Sequence, residues 1–387
     1  MIPRNAEKSL LSLAKGYPVV ALTGPRQSGK STLVKHVFKD KPYVSLEDIE
    51  TREYAQGDPK AFLAQFSKGA VLDEVQRVPT IFSYLQTVVD TNREPGLFIL
   101  TGSQQFGLYQ HITQSLAGRV ASVVLLPFTY DELQRAEMAP KTLEGLIVKG
   151  LYPPVFDRSL DASIWYSNYV RTYIERDVRQ MIQVRDLSTF QRFVRMCAAR
   201  TGQLLNLSSL ANDCGITHNT AKSWISTMEA SFLLYLLKPH FRNFNKRLVK
   251  TPKLYFLDPG LAAWLVGIQK PEQLLTHPAR GALFETFVVA ELLKRRFNGG
   301  LEPNIYFWRD RTGNEIDVVI DNGTALTPLE IKSGKTVVPD FFSVFKRWES
   351  ITGMHGQKGW LIYGGESSQN RQECVVLPWH SITEVTV

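Results

Sequence analysis

Eight consecutive residues, Gly24-Pro25-Arg26-Gln27-Ser28-Gly29-Lys30-Ser31, carry the chemistry most directly legible in this chain. They match G-x-x-x-x-G-K-[ST], a pattern that turns backbone N–H groups inward on a row of phosphates. The glycines permit the turn, a following helix N-terminus adds a positive dipole, and Lys30 sets a point charge against the outer phosphates. Ser31 is expected to give its hydroxyl oxygen to Mg2+, and Thr32 completes the ATP-binding run. A glycine-rich turn without function would need neither the apolar strand before it, Val19-Val20-Ala21-Leu22, nor the helix-compatible run Thr32 to Phe38 after it.

Further along, Ala70-Val71-Leu72-Asp73-Glu74 reads as an apolar strand ending in two carboxylates. Asp73 is positioned to hold the magnesium through its waters, and Glu74 to activate the attacking water. The bland reading of such a pair is a helix cap. A third apolar run, Leu97 to Leu100, ends in Thr101-Gly102-Ser103, where Ser103 is placed to sense the γ-phosphate. Arg119 follows in Leu116-Ala117-Gly118-Arg119, just before the run Val120 to Leu126. An arginine there can reach a neighbouring copy's nucleotide and neutralise charge in phosphoryl transfer, which would tie hydrolysis to a ring; a surface salt bridge is the alternative.

These residues need a scaffold. Short apolar runs alternate with helical patterns up to about residue 135, with another run at Tyr43-Val44, and such alternation predicts a parallel α/β sheet. From Thr129 to about Asp186 the strand signals fade, and Tyr166, Tyr169, Val170, Tyr173 and Ile174 recur at helical spacing, predicting a small helical subdomain interrupted at Pro153-Pro154. The 387 residues suffice for two or three domains, the charge is +8, and the three cysteines Cys197, Cys214 and Cys374 lack metal or disulfide spacing. No unbroken apolar window reaches the ~18 residues of a membrane span, and Met1-Ile2-Pro3-Arg4 lacks a secretory signal's apolar stretch, so a cytoplasmic location is expected.

The excess positive charge becomes informative where it clusters. Leu207 to Asp213 and His218 to Glu229 are helical patterns separated by Cys214-Gly215-Ile216-Thr217, the turn of a helix-turn-helix, with Thr217 as N-cap. Two strand-like runs follow, Phe232 to Leu237 and Lys253 to Leu257, an order that suits a winged helix. His218, Asn219, Lys222 and Ser223 would face a DNA groove. Lys238, His240, Arg242, Asn243, Lys246, Arg247 and Lys250, interleaved with Phe241 and Phe244, form the densest basic segment and a candidate DNA contact strip. A winged helix serving only protein contacts is the competing expectation.

Taken together, the chain resembles the predicted AAA+ ATPases of bacteria and archaea that carry a C-terminal domain of unknown function, often described simply as ATP-binding proteins. The likeness rests on Gly24 to Thr32, Leu72-Asp73-Glu74-Val75-Gln76, Leu100-Thr101-Gly102-Ser103, Leu116-Ala117-Gly118-Arg119, Pro252-Lys253-Leu254-Tyr255-Phe256-Leu257-Asp258, and Phe284-Glu285. It implies an AAA+ core (1–135), a helical lid (136–186), a winged helix (187–268) and a C-terminal α/β domain like the PD-(D/E)XK nucleases (269–387). Arg171, Arg176 and Arg179 stand open as second nucleotide sensors.

Within the last segment, Glu285 on the amphipathic run Leu283 to Phe297, Asp317 in Glu315 to Ile320, and Glu330-Ile331-Lys332 reproduce the nuclease pattern's E, D and E-x-K elements. Alternation along a strand would set Glu330 and Lys332 on one face, the carboxylates holding magnesium and the lysine orienting a water. Equally, the fold could be retained as an interaction platform with Asp317 and Lys332 merely paired. The expected function is an ATP hydrolase, with ATP and Mg2+ as cofactors, that forms a hexamer-like homo-oligomeric ring and translocates on or remodels DNA, with branched DNA among the candidate substrates. A nucleotide-controlled switch or scaffold is the alternative. An ATP-dependent protein remodeller is disfavoured by the short stretch before Gly24.

Overall fold

The computed structural model describes residues 1–103, 115–172, 186–240, 249–353 and 356–387. Two compact units divide the chain: Met1–Phe128 with 230–232 and 294–302, and Thr129–Glu229 with 233–293 and 303–387.

In the first unit, strands β1 (Val19–Thr23), β2 (Tyr43–Ser45), β3 (Ala70–Asp73), β4 (Phe98–Gly102) and β5 (Val120–Val124) form one sheet in the order β2-β3-β4-β1-β5. All neighbours are parallel. Alternate residues feed two cores. Val19, Ala21, Ala70, Leu72, Phe98 and Leu100 pack on one face with Phe62, Phe82 and Leu85, while Val20, Leu22, Val71 and Ile99 pack on the other with Ala6, Leu10, Leu33 and Val34. A sheet covered on both faces needs strands that are apolar at every position, which is why these runs carry no polar alternation. In β1, β3 and β4 polar residues appear only at the carboxyl ends, Thr23, Asp73 and Thr101, while the outer strands β2 and β5 carry Ser45 and Ser122. In parallel α/β sheets that edge is where ligands bind.

The second unit begins with the helices Tyr130–Arg135, Leu143–Lys149, Pro153–Asp157 and Ala162–Tyr169. Trp165 stacks on Tyr169 with ring centroids 4.8 Å apart, and Tyr166, Tyr169 and Val170 are buried, as their helical spacing predicts. Tyr173, Ile174, Arg176 and Arg179 lie outside the described residues. Next come the helix Leu187–Ala198, β6 (Gln203–Leu204), the helices Leu207–Cys214 and His218–Ala230, then β7 (Leu234–Leu237) and β8 (Lys253–Phe256). These three strands form an antiparallel sheet in the order β6-β8-β7. Gly215, left-handed at φ 68°, ends the first helix of the pair, and Thr217 Oγ1 accepts from the Thr220 N–H at 3.1 Å to start the second.

The remaining strands, β9 (Ile305–Arg309), β10 (Glu315–Asp321), β11 (Leu326–Lys332), β12 (Gly359–Tyr363), β13 (Gln369–Asn370) and β14 (Cys374–Pro378), make a six-stranded mixed sheet in the order β13-β14-β12-β11-β10-β9. The pairing of β9 with β10 shifts register between Ile316 and Val319, a bulge that spans Asp317. Bulges re-aim side chains, and this one lies at a carboxylate of the proposed cluster.

One buried carboxylate holds several helices of this unit. Asp258, 1% exposed, accepts from Tyr166 OH at 2.6 Å and from the backbone N–H groups of Leu151 and Leu261, both at 2.8 Å. Asp258→Ala would strand two buried backbone donors and leave Tyr166 OH only the Lys149 carbonyl at 3.3 Å, and is expected to destabilise the fold by about 3 kcal/mol, read from urea unfolding. A loss under about 1 kcal/mol would contradict this account.

Candidate nucleotide-binding site

The Gly24 to Ser31 loop leaves β1 and enters the helix Lys30–Val37. Its backbone explains its composition. Gly24 has φ 148°, and a Cβ there would lie 2.1 Å from the carbonyl oxygen of Leu125. Gln27 and Gly29 are also left-handed, at φ 62° and 91°. Within the loop, Pro25 and Ser28 are buried, Arg26 and Gly29 half-buried, and Gln27 exposed; Thr32 lies exposed on the helix.

Lys30 is 5% exposed, and its ammonium donates to the carbonyls of Gly24 at 3.0 Å and Pro25 at 2.8 Å. Burial lowers its pKa to about 8, against the upward pull of Glu74 and Asp73. A lysine held that way stands to gain from an anionic partner.

Asp73 collects hydroxyls from three elements. Ser31 Oγ lies 3.1 Å from both of its carboxylate oxygens, Thr101 Oγ1 donates to Oδ1, and Tyr43 OH donates to Oδ2. Burial, followed by the bond to Asp73, raises the Tyr43 pKa. Glu74, at φ 56°, is a non-glycine residue in the left-handed region, a strained conformation found at functional sites. Its backbone N–H donates to Thr101 Oγ1 at 3.2 Å, and its Oε2 accepts from Ser103 Oγ at 3.0 Å and from Gln76 Nε2. Lys30, Ser31, Asp73, Glu74 and Ser103 therefore come together at the carboxyl edge of β1, β3 and β4.

Arg119 is held elsewhere. Its Nε and Nη2 meet Asp90 Oδ1 and Oδ2 at 2.5 and 3.0 Å, both side chains are part-exposed, and the Asp90 carboxyl is held below its ordinary pKa by the Arg119 hydrogen bond.

Three residues at this edge escaped sequence reading: Arg4, Tyr43 and Thr101. Arg4 is 7% exposed, and its guanidinium donates to the Ser28 carbonyl and the Leu126 carbonyl, both at 2.7 Å, with the ring of Phe128 4.8 Å away. A planar trans peptide points its C=O and its N–H in opposite directions. Holding Ser28 O therefore fixes the Gly29 N–H facing away from Arg4. No spacing rule links a residue near the start of a chain to a loop 24 positions later. Thr101 was visible only as the end of a strand.

The second unit presents two further groups of predicted residues. His218, Asn219, Lys222 and Ser223 are exposed on one helix, and His218, Lys222 and Lys250 line an open groove of about 670 Å³ with Asn206, Ser226 and Thr251. Phe241, Arg242, Asn243, Phe244, Lys246 and Arg247 lie outside the described residues. On the six-stranded sheet, Asp317 Oδ2 accepts from the Ile331 N–H at 2.9 Å, and Lys332 pairs with Glu330 Oε1 at 2.5 Å. Burial and then Asp317 push the Glu330 pKa up to about 8, opposed by Lys332, and Glu330 Oε2 is buried without a hydrogen-bond partner. Glu285, its pKa raised mainly by burial, is engaged by Lys253 at 3.1 Å and by Tyr255 OH. Among the described residues, no group of three or more His, Cys, Asp or Glu side chains is arranged to hold a metal ion. No described helix is long and apolar enough to cross a membrane.

The parallel sheet and its phosphate loop define an AAA-type P-loop ATPase domain, and a family model described as an AAA domain matches residues 16–134. Domains of unknown function match the rest: DUF8612 over residues 140–272 and DUF4143 over 280–382. Two proteins, the uncharacterized protein Rv2008c of Mycobacterium tuberculosis and the uncharacterized protein Mb2031c of Mycobacterium bovis, are each 31% identical to this chain over 337 residues, 86% of this chain and 74% of theirs. The chain belongs to the family of these mycobacterial proteins. Among solved structures, the Walker-type ATPase PABY2304 of Pyrococcus abyssi aligns over 68% of this chain and 96% of its own at 14% identity, with a TM-score of 0.47. The RuvB Holliday junction branch migration motor of Thermotoga maritima aligns over 60% and 88% at 18% identity, with a TM-score of 0.31.

Arg4→Gln is expected to weaken ATP binding about tenfold, or ~1.4 kcal/mol, because the Gly29 amide loses its fixed aim. Titration with a fluorescent nucleotide checks this, and an unchanged Kd would show that the loop holds its own shape.

Proposed function

We propose that this chain hydrolyses ATP at the Gly24 to Thr32 loop and uses the turnover to move along or remodel DNA as a ring-forming homo-oligomer. The observation that carries the ATPase reading is the convergence of Ser31 and Asp73 at 3.1 Å beside the Glu74–Ser103 pair at 3.0 Å. The donor set fits a magnesium ion: the Ser31 hydroxyl and the Asp73 carboxylate share one point, with Ser31 Oγ 3.1 Å from both carboxylate oxygens. Bound there, magnesium would shield the β- and γ-phosphate oxygens.

The chain's own residues supply the rest. Lys30 leaves the Gly24 and Pro25 carbonyls for the phosphates, a shorter reach for a charge already stationed in the loop. Glu74 accepts the proton of the attacking water, with Ser103 orienting the carboxylate and meeting the γ-phosphate. Arg119 must give up Asp90 to act on a neighbour's nucleotide. A part-exposed pair of this kind is weak, so exchange is cheap. Glu74→Gln should leave ATP binding intact and lower turnover at least about a hundredfold, measured by phosphate release. Turnover surviving the substitution would remove Glu74 from the chemistry.

DNA as the substrate is supported by the helix pair after β6, with exposed His218, Asn219 and Lys222 beside a groove that Lys250 also lines. A winged-helix reading is supported by the order of helices and strands around the β6-β8-β7 sheet. Lys222→Glu with Lys250→Glu should weaken DNA binding and reduce its salt slope by about two, since two phosphate contacts would go. ATPase rates with duplex, single-stranded and four-way-junction DNA test the coupling, and indifference to all three would sink the motor. A switch or scaffold is the second reading. It is favoured by Glu285, whose carboxylate is already claimed by Lys253 and Tyr255 rather than left for a nuclease metal.

A further inference from the structure

The carboxylates of the six-stranded sheet share their space with an ammonium. Lys253 stands at the start of β8, and 3% of it is exposed. Its Nζ lies 3.1 Å from Glu285 Oε1 and 2.5 Å from Glu315 Oε1. Tyr255, two positions on and so on the same face of the strand, donates its hydroxyl to the same Glu285 oxygen. Glu315 is shared again, its Oε2 meeting Arg309 Nη1 at 2.9 Å. Asp317 is within electrostatic reach of Lys253, and Lys332 takes Glu330.

Charge decides what such a cluster can accept. A buried ammonium is tolerated only where carboxylates replace its water, and buried carboxylates need the cation equally. Three cations, Lys253, Arg309 and Lys332, stand against four carboxylates, Glu285, Glu315, Asp317 and Glu330. With every group ionised the cluster is one charge from neutral, and with Glu330 protonated, as a pKa pushed up to about 8 favours, it is neutral without any ion. A divalent ion added beside Lys253 would overshoot, and it would have to displace an ammonium that already holds two of the oxygens it needs.

We propose that Lys253 serves as a built-in cation, its ammonium standing between Glu285 and Glu315 where a divalent ion would otherwise bind, so that Glu285 takes no metal in this chain. The inference does not depend on the ATPase reading, because every group in it lies in the second unit. It bears on the nuclease pattern: Glu285 matches by residue type, but the strand that precedes its helix has supplied the counter-charge. Replacing Lys253 by a neutral residue should then expose a latent divalent-cation site on Glu285, Glu315 and Asp317.

Mn2+ binding, followed by electron paramagnetic resonance on nucleotide-free protein, tests this. All proteins carry Asp73→Asn to silence the phosphate loop. With Lys253 present, Mn2+ uptake should be the same with Glu285 and with Glu285→Gln. Lys253→Met should gain one bound Mn2+ per chain, lose it again on adding Glu285→Gln, and melt at a higher temperature with Mn2+ than without. Lys253→Arg, which keeps the charge, should gain none. A bound Mn2+ in the Lys253 protein that Glu285→Gln removes would overturn the proposal, as would a folded Lys253→Met protein that gains no ion. Should the methionine variant fail to fold with or without Mn2+, the Glu285 and Glu285→Gln pair decides alone: equal uptake supports the built-in cation, and one ion lost refutes it.

Discussion

The carboxylate of Asp73 is the point on which the first unit is organised. It closes β3, and the sheet brings Thr101 of β4 beside it because Leu72 pairs with Leu100 one position earlier. Tyr43 comes from β2 on the other side and Ser31 from the first turn of the helix after the loop. Three hydroxyls around one carboxylate are a costly arrangement to assemble by chance, since each must come from an element fixed by its own packing. Register, not local sequence, creates the site. That is why the apolar runs matter chemically: a slip of one residue in β3 would turn Asp73 into the core and Leu72 to the edge.

The same dependence sets what could be read beforehand. The phosphate loop, the Asp73-Glu74 strand end and Ser103 are legible because each is a contiguous pattern whose chemistry is local. The five strands are legible because a doubly covered sheet demands unbroken apolar runs. Arg4, Tyr43 and Thr101 are not, because their significance is made by partners far away in the chain. Lys253 belongs with them. It stands inside a segment recognisable as a strand, and only the fold reveals that its side chain ends among carboxylates contributed by Glu285 and Glu315. The two-residue strand β6 is too short to have a period at all, yet it completes the β6-β8-β7 sheet.

Sequence and geometry also separate residue type from residue role. Arg119 has the type and position expected of a residue acting on a neighbour's nucleotide, while its guanidinium is occupied by Asp90. Glu285 has the type and helix expected of a nuclease acid, while its oxygen is occupied by Lys253 and Tyr255. The difference between the two lies in solvent. The Arg119 pair is part-exposed, and its side chain can leave at the small cost of a surface ion pair. The Lys253 ammonium is buried while its carboxylate partners are part-exposed, and parting them would leave an uncompensated ammonium in the interior, at a cost of several kcal/mol. One occupancy is therefore compatible with exchange during a cycle, and the other is a fixed part of the fold.

That contrast extends to Lys30. Its ammonium is buried as deeply as that of Lys253, but it rests on the carbonyls of Gly24 and Pro25 rather than on a carboxylate. Carbonyl dipoles satisfy the donors without balancing the charge, and burial accordingly drags the pKa down to about 8. Lys253 faces comparable burial, yet its carboxylates hold its pKa above the ordinary lysine value. A buried cation left electrostatically short will take an anion when one arrives; a buried cation already matched will not. The two lysines thus mark two kinds of site, one open to a negatively charged ligand and one closed by its own counter-ions.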